Sequence, residues 1–405
     1  MSADPVEFNL LSPAFQEHPA ETFTALRERC PVHHTDVPAP HFTLSLDADV
    51  MSALRDDRIW SSTFGPGLSY SPPGAGVLVS SDPPTHTTER LAISRAFRPS
   101  VIDAMESDMR HLVDDIIDGF VDRGEGDLIT DLAMPLPLTV MCWLLGMPKE
   151  DIGMFRRWVL PMAEAVALEG GRAANEEVAD AYRQYYRYFG PHIEGRARAI
   201  ADGDAVPEDL LTRLLTVERD GQKLTQQQVV GFCQFLLVAG SATTTLLIGN
   251  LVHRLMELPD QQALVRTDRS LIPNAVEESL RFDAPVHGLF RTNRCPVTIH
   301  DVEIPQDSKT YMLFGSANRD PAAWDHPDRF DVTRDLKDLR QRHAAFGVGI
   351  HYCLGAPLSR LEGALALEAI LDRLPNLRPN GVPTSVKASV LNGFETLPVR
   401  WDTPA

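Results

Sequence analysis

The segment Phe346-Gly347-Val348-Gly349-Ile350-His351-Tyr352-Cys353-Leu354-Gly355 sets one cysteine in a glycine-loosened loop that runs straight into a helical stretch. Gly347 and Gly349 permit positive φ and let a flat cofactor approach the backbone, which bulkier residues would prevent. From Leu354 to Leu374 the chain reads as helix. The Cys353 sulfur is therefore expected near a helix N-terminus, where amide N–H groups and the dipole favour an anion. Phe346 is expected to keep water off the sulfur. Free cysteines are among the most buried residue types, so a plain core cysteine is the competing explanation. That explanation needs neither the glycines nor the phenylalanine, and the loop reads as one that holds a thiolate for a metal.

The other cysteines, Cys30, Cys142, Cys233 and Cys295, are widely spaced and form no Cys-x-x-Cys pair. An odd total of five argues against a disulfide framework and against a zinc site, and suits a reducing cytoplasm. Residues Met1 to Pro13 carry acids and lack the basic start and apolar run of a signal peptide. No stretch reaches the roughly 18 apolar residues of a membrane span. A cytoplasmic protein without a membrane anchor is expected. The formal net charge of −18 makes nucleic acid an unfavourable partner. No linker, low-complexity tract or repeat divides the 405 residues, so one domain over 1–405, acting as a monomer, is expected.

Apolar residues at i, i+3, i+4 spacing predict helices over Val101 to Gly119, Pro148 to Leu168, Val178 to Ala201, Gln226 to Leu258 and Leu361 to Leu374. Strand patterns are confined to His41 to Leu46, Pro296 to Ile304, Lys309 to Leu313 and Ser389 to Arg400. The fold class is mainly α with a small β portion. From Gly65 to Ser80 the chain turns rich in glycine, proline and serine, ahead of Ser81-Asp82-Pro83-Pro84, which suits a helix start. A loop of this length in a compact domain is usually functional or disordered.

The cysteine loop matches throughout the Phe-Gly-x-Gly-x-His-x-Cys-x-Gly pattern of the cytochrome P-450 family, the haem-thiolate monooxygenases, and the chain resembles that family along its length. The resemblance implies a haem b between a long central helix and the cysteine loop, with Cys353 as metal ligand and Phe346, Gly347 and Gly355 around it. Asp82-Pro83-Pro84-Thr85-His86-Thr87-Thr88-Glu89-Arg90 resembles the family's Asp-Pro-Pro-x-His-x-x-x-Arg motif, and His86 and Arg90 share a helical face. Alone they would read as an exposed polar pair. By the resemblance they meet haem propionates together with Arg291, His343 and His351. Glu278-Ser279-Leu280-Arg281 matches Glu-x-x-Arg, with Arg329 as third member of the ionic triad, a structural role. Bare Glu-x-x-Arg is weak evidence, but here it stands in register before Ala317-Asn318-Arg319-Asp320-Pro321, another family string.

Leu236 to Thr245, LLVAGSATTT, resembles the family's Ala-Gly-x-acid-Thr motif inside the longest predicted helix. Glycine in a helix interior costs about 1 kcal/mol relative to alanine, so Gly240 needs a reason. The expectation is a groove for dioxygen, with Ala239 against the cofactor and Thr243 one turn away. Ser241, Thr243 and Thr244 equally fit hydroxyls bonding back to the preceding turn, which often bends helices. Where the family carries an acid, this chain has Ala242, which relays no proton. Ser241, Thr243, Thr244, water or the substrate is left to supply a path.

The resemblance places a substrate pocket among Phe64, Leu68, Val77 and Leu78 of the roofing loop, and Phe235 and Val238 of the central helix. Val286, His287, Leu289, Phe290, Leu391, Asn392 and Phe394 complete it, and plain packing would serve for about half of these apolar residues. Stretches around Phe290 and Phe314 look like members that oxidise small aromatic acids, but no Arg or Lys lines the expected pocket, which favours a neutral aromatic or terpenoid. The implied function is insertion of one atom of O2 into such a substrate by hydroxylation or O-demethylation, with electrons from a separate ferredoxin and ferredoxin reductase. Arg90, Arg95, Arg98, Arg110, Arg340, Arg342 and Arg360 form a candidate basic patch for that donor. A peroxide-using enzyme of the same fold is the alternative, and a non-catalytic haem sensor or carrier the remote one.

Overall fold

The computed structural model describes residues 6–148, 151–168, 176–219, 222–386 and 390–403. Seven helices position the site: α1 (Thr85–Ser94), α2 (Pro99–Asp118), α3 (Pro135–Leu145), α4 (Gln226–Glu257), α5 (Ile272–Phe282), α6 (Leu336–Arg342) and α7 (Ala356–Arg373). Helix α4 starts on a reciprocal box in which Thr225 Oγ1 accepts from the Gln228 N–H and Gln228 Oε1 accepts from the Thr225 N–H. Because α4 is apolar on nearly every side, it requires cover all round. It packs against α3, α5 and α7, and 72% of its most apolar window is buried inside the protein. Among the described residues it is the one helix long and apolar enough to cross a membrane, and that cover makes it a core helix. On α2 the buried residues Ile102, Met109, Val113 and Ile117 recur on one helical face.

A five-stranded sheet lies beside the helices: β1 (Val32–Thr35), β2 (His41–Leu44), β3 (Trp60–Ser61), β4 (Leu289–Asn293) and β5 (Lys309–Met312), in the order β1-β2-β5-β4-β3. β2 and β5 are parallel, with Thr310 opposite Phe42, and the other pairs are antiparallel. Side chains alternate along a strand, so Leu289 and Arg291 leave β4 on one face and Phe290 and Thr292 on the other. The expected Pro296 to Ile304 strand is a hairpin, Val297–Ile299 with Val302–Ile304, turning at His300 and Asp301 with φ of 49° and 64°. The expected Pro148 to Leu168 helix runs Ile152–Leu168, with 149 and 150 outside the described residues. Ser389 to Arg400 resolves into Phe394–Thr396 and Pro398–Arg400, with 389 outside the described residues. The roofing loop is pinned rather than loose: Lys309 Nζ donates to the carbonyls of Phe64 at 2.8 Å and Gly65 at 3.0 Å.

Candidate active site

Gly347 and Gly349 adopt φ of 66° and 74°, the left-handed region that glycine enters without strain. The close approach at Gly349 is to protein: a Cβ there would lie 2.8 Å from the Leu54 carbonyl oxygen. The loop closes through the Cys353 N–H, which donates to the Phe346 carbonyl at 2.9 Å. Helix α7 begins at Ala356 with Gly355 as its N-cap and a proline in its first turn. Burial pushes the Cys353 thiol up, while the Gly355 N–H, the charges of Arg90 and Arg360, and the Ala356 N–H pull it down.

Nitrogen donors gather on one side of this loop, and among the described residues no carboxylate forms an ion pair with its two arginines, Arg90 and Arg291. The His86 and His351 rings lie 4.3 Å apart. His351 Nε2 meets Ser62 Oγ at 3.0 Å, and Arg90 Nη2 donates to the Tyr352 carbonyl at 2.7 Å. Arg291 is buried, its one hydrogen bond among the described residues runs to the Phe290 carbonyl, and burial lowers it to about 10. Burial, with the charges of Arg291 and His86, pushes His351 down to about 2. Asp82 is occupied by the Ser62 N–H, the hydroxyls of Ser61 and Thr63, and Arg294. His86 Nε2 is buried with no partner. This is a cradle for a buried anion, which needs such donors to leave water.

The Cytochrome P-450 family profile matches residues 172–388. The monooxygenase PikC of Streptomyces venezuelae is 32% identical over 98% of this chain and 94% of its own. The 6-deoxyerythronolide B hydroxylase of Saccharopolyspora erythraea is 34% identical over 97% and 98%. This chain belongs to the cytochrome P-450 family. The solved structure of a P-450 from Chondromyces apiculatus is similar, with TM-score 0.86 and 31% identity over 98% of each chain. HmtN, a post-tailoring hydroxylase of himastatin biosynthesis, gives 0.82 and 33% over 95% of this chain and 97% of that one. Membership makes the chain an oxidoreductase of the monooxygenase class and implies a haem iron, a cysteine thiolate ligand and use of O2. The residues present fit that group: the orphaned His86 nitrogen and the unpaired Arg291 are the donors that haem carboxylates need, beside the one cysteine at a helix N-terminus.

Two expectations about the P-450 ion pairs are corrected. His343 is not free for a propionate, because Nε2 sits 2.8 Å from Glu277 and Nδ1 accepts the Ala345 N–H. Glu278 and Arg281 form a bidentate buried pair at 2.7 and 2.8 Å, but the third member is Arg334, 3.1 Å from Glu278. The Arg329 guanidinium is exposed and lies 3.6 Å from Asp331; only the Arg329 carbonyl joins the group, accepting from Arg281. Of the expected basic patch, Arg110 pairs with Glu106 and Glu368, and Arg340 and Arg360 pair with Glu277. Arg342 lies over Trp324, whereas Arg95 and Arg98 are exposed and pair with no carboxylate among the described residues.

On the distal side α4 stays α-helical throughout. A Cβ at Gly240 would lie 2.5 Å from Met141 Sδ, so the missing side chain also lets α3 approach α4. Ser241, Thr243, Thr244 and Thr245 bond back to the carbonyls of Leu237, Ala239, Gly240 and Ser241. Ala239, Gly240 and Thr243 keep partial exposure on a helix whose other central residues are buried.

The expected pocket lining divides. Val77 and Leu78 pack toward α4, with Phe235 and Val238, and Val286 bridges to Leu391. Phe64 pairs edge-on with Tyr70, and Leu289 leaves β4 on the Arg291 face. Phe290 stacks on Tyr311 at 4.7 Å in a cluster with Leu68, and His287 packs between Phe15 and Phe23. Both are core residues because strand alternation and the N-terminal helices claim that face. Phe394 packs on His253 near the end of α4, and Asn392 is spent on the Ala284 carbonyl while its own carbonyl accepts from Asn250.

Sequence reasoning missed Glu362 on α7. It is buried, and neither carboxyl oxygen has a hydrogen-bond partner. The Thr244 hydroxyl of α4 is its polar neighbour, but turns to the Gly240 carbonyl and to Ser359 Oγ, each at 3.2 Å. Burial raises Glu362 well above the ordinary carboxylate range, and Thr244 only partly opposes it. The available signal was an acid at i+4 from Leu358 and i−3 from Leu365, on an apolar stripe.

Proposed function

We propose that Cys353 is the axial thiolate of a haem b and that His86, Arg90, Arg291 and His351 hold its carboxylates. On this reading the enzyme inserts one oxygen atom of O2 into a small, mostly apolar molecule, with electrons from a separate ferredoxin and reductase. The observation that carries the reading is the Cys353 loop at the start of α7 beside the buried Arg291, which pairs with no carboxylate among the described residues, and the buried His86 Nε2, which has no partner. The bound haem supplies O2 activation, and a thiolate ligand favours O–O cleavage. The chain's residues exclude water, orient the substrate and hold the proton. Phe64, Val77, Leu78, Phe235, Val238, Val286, Leu289 and Leu391 supply the apolar wall. With no cation among them, a neutral substrate is favoured over a carboxylate. Arg95 and Arg98 are the free charges available to an acidic electron donor. The test of the ligand is the ferrous carbonyl spectrum, in which Cys353→Ser is expected to abolish the band that names the family. A band unchanged by that substitution would make another residue the ligand.

Ala242 leaves the distal helix without its usual acid, and we infer that Glu362 takes that part from the neighbouring helix. Burial favours the protonated carboxyl, one hydroxyl away from the Gly240 turn through Thr244 Oγ1. Positioned proton transfer contributes about 100- to 10,000-fold, so Glu362→Gln is expected to lower product formed per reduced nicotinamide by about 100-fold or more. Peroxide-driven turnover is expected to change much less, and adding Ala242→Asp to restore coupling. Unchanged coupling in Glu362→Gln would remove Glu362 from the route.

A further inference from the structure

Glu277 precedes the Glu278–Arg281 pair on α5 and is fully enclosed. Its carboxylate collects three side chains: His343 through Nε2 at 2.8 Å, Arg340 of α6 through Nε at 3.2 Å, and Arg360 of α7 through Nε and through Nη2 at 3.2 Å. Because His343 Nδ1 accepts the Ala345 N–H, its proton sits on Nε2 and the imidazole is neutral. Two guanidinium charges therefore share one carboxylate.

These partners bracket the cysteine loop, His343 just ahead of Phe346 and Arg360 about one turn into the helix that follows Cys353. Arg360 Cζ lies 4.7 Å over the Phe346 ring, and Nη1 donates to Tyr352 Oη at 3.2 Å. The Arg360 charge also reaches the buried Cys353 sulfur. Nothing in the haem cradle uses Glu277, and its charge is too enclosed to serve a docking partner.

We propose that Glu277 is a positioning residue for the thiolate: it holds Arg360 against Phe346 beside Cys353 and, through the charge it compensates there, sets the reduction potential of the iron. The proposal rests on Cys353 being the ligand. Removing the carboxylate leaves both guanidiniums uncompensated, and added positive charge favours the state that has gained an electron. Removing the Arg360 guanidinium acts in the opposite sense. A loop merely loosened by either change would respond to both in the same direction.

The experiment is potentiometry on the haem-loaded full chain and on Glu277→Gln, Arg360→Gln and Arg340→Gln, with ferrous carbonyl spectra of each. Hydrogen–deuterium exchange over 343–355 in the haem-free protein is measured alongside. The potential is expected to rise in Glu277→Gln, to fall in Arg360→Gln, and to fall less in Arg340→Gln, whose guanidinium is half-exposed. The thiolate band is expected to persist in all three, and exchange of the loop to quicken in Glu277→Gln. Shifts of one sign in Glu277→Gln and Arg360→Gln, or no shift with the thiolate band intact, would overturn the proposal. If Glu277→Gln takes up no haem, the two arginine variants decide, and the absence of a fall in both overturns it. A thiolate band that survives Cys353→Ser would instead overturn the ligand assignment.

Discussion

Glu277 and Glu362 are the same residue type, each 1% exposed on a helix that frames the site, and their neighbours shift them in opposite directions. Burial pushes both carboxyls upward. At Glu277 the hydrogen bonds from His343 and Arg360, with the Arg360 charge, outweigh burial and hold the group at about 2. At Glu362 the Thr244 hydroxyl opposes burial only in part, and the group stays well above its ordinary range. Burial sets the cost of a charge, and the neighbours decide whether that cost is met. One glutamate is therefore a charge that ties α5, α6 and α7 to the cysteine loop, and the other is a carboxyl behind α4 whose burial favours the protonated form.

The sharpest way to break this contrast is to remove each side chain and compare stabilities. Glu277→Ala strands two guanidiniums, one of them largely buried, and is expected to cost about 3 to 5 kcal/mol in denaturant unfolding. Glu362→Leu removes an unsatisfied group and is expected to be nearly neutral or to stabilise by about 1 kcal/mol. Equal losses in the two variants would mean that Glu362 has a partner after all.

Acid titration separates the pair by sign. Glu277 binds its proton less tightly folded than unfolded, so its contribution is complete above its ordinary value of 4.5 and is lost as pH falls through about 2. That shift corresponds to about 3 kcal/mol. Glu362 binds its proton more tightly when folded, so its contribution is complete below 4.5 and is lost as pH rises toward its raised folded value. Glu277→Gln is expected to flatten the acid limb of the stability curve, and Glu362→Gln to flatten the fall above 4.5. Unaltered limbs would contradict both assignments.

The cradle extends the comparison, because His86 is a donor still lacking the partner that Glu277 already has. His86→Ala with Arg90→Ala is expected to lower haem retention on gel filtration while leaving the thiolate spectrum unchanged. Each lost hydrogen bond to a charged group contributes about 1.5 to 3 kcal/mol. Full retention would remove the two residues from the haem cradle.

The cysteine loop was legible because its chemistry is local: two glycines, a phenylalanine and a cysteine within ten residues dictate the turn and the helix start. The long helices were legible for a similar reason, and α2 and α4 begin or end within two residues of the expected bounds. The ionic partners were not. Arg334 rather than Arg329 meets Glu278, and Glu277 rather than a propionate meets His343, because helices distant in sequence decide which charges converge. The packing of Met141 of α3 against Gly240 is likewise a contact that no spacing in α4 encodes. Phe290 and His287 failed as lining because the alternation on β4 and the packing of Phe15 and Phe23 claim them.

The most direct test of the account is infrared difference spectroscopy of the carboxyl C=O stretch in the haem-loaded chain near neutral pH. A protonated carboxyl band is expected that disappears in Glu362→Gln and survives in Glu277→Gln. If the band is missing in the unaltered chain, or is lost in Glu277→Gln and not in Glu362→Gln, the division into a charged Glu277 and a protonated Glu362 is wrong.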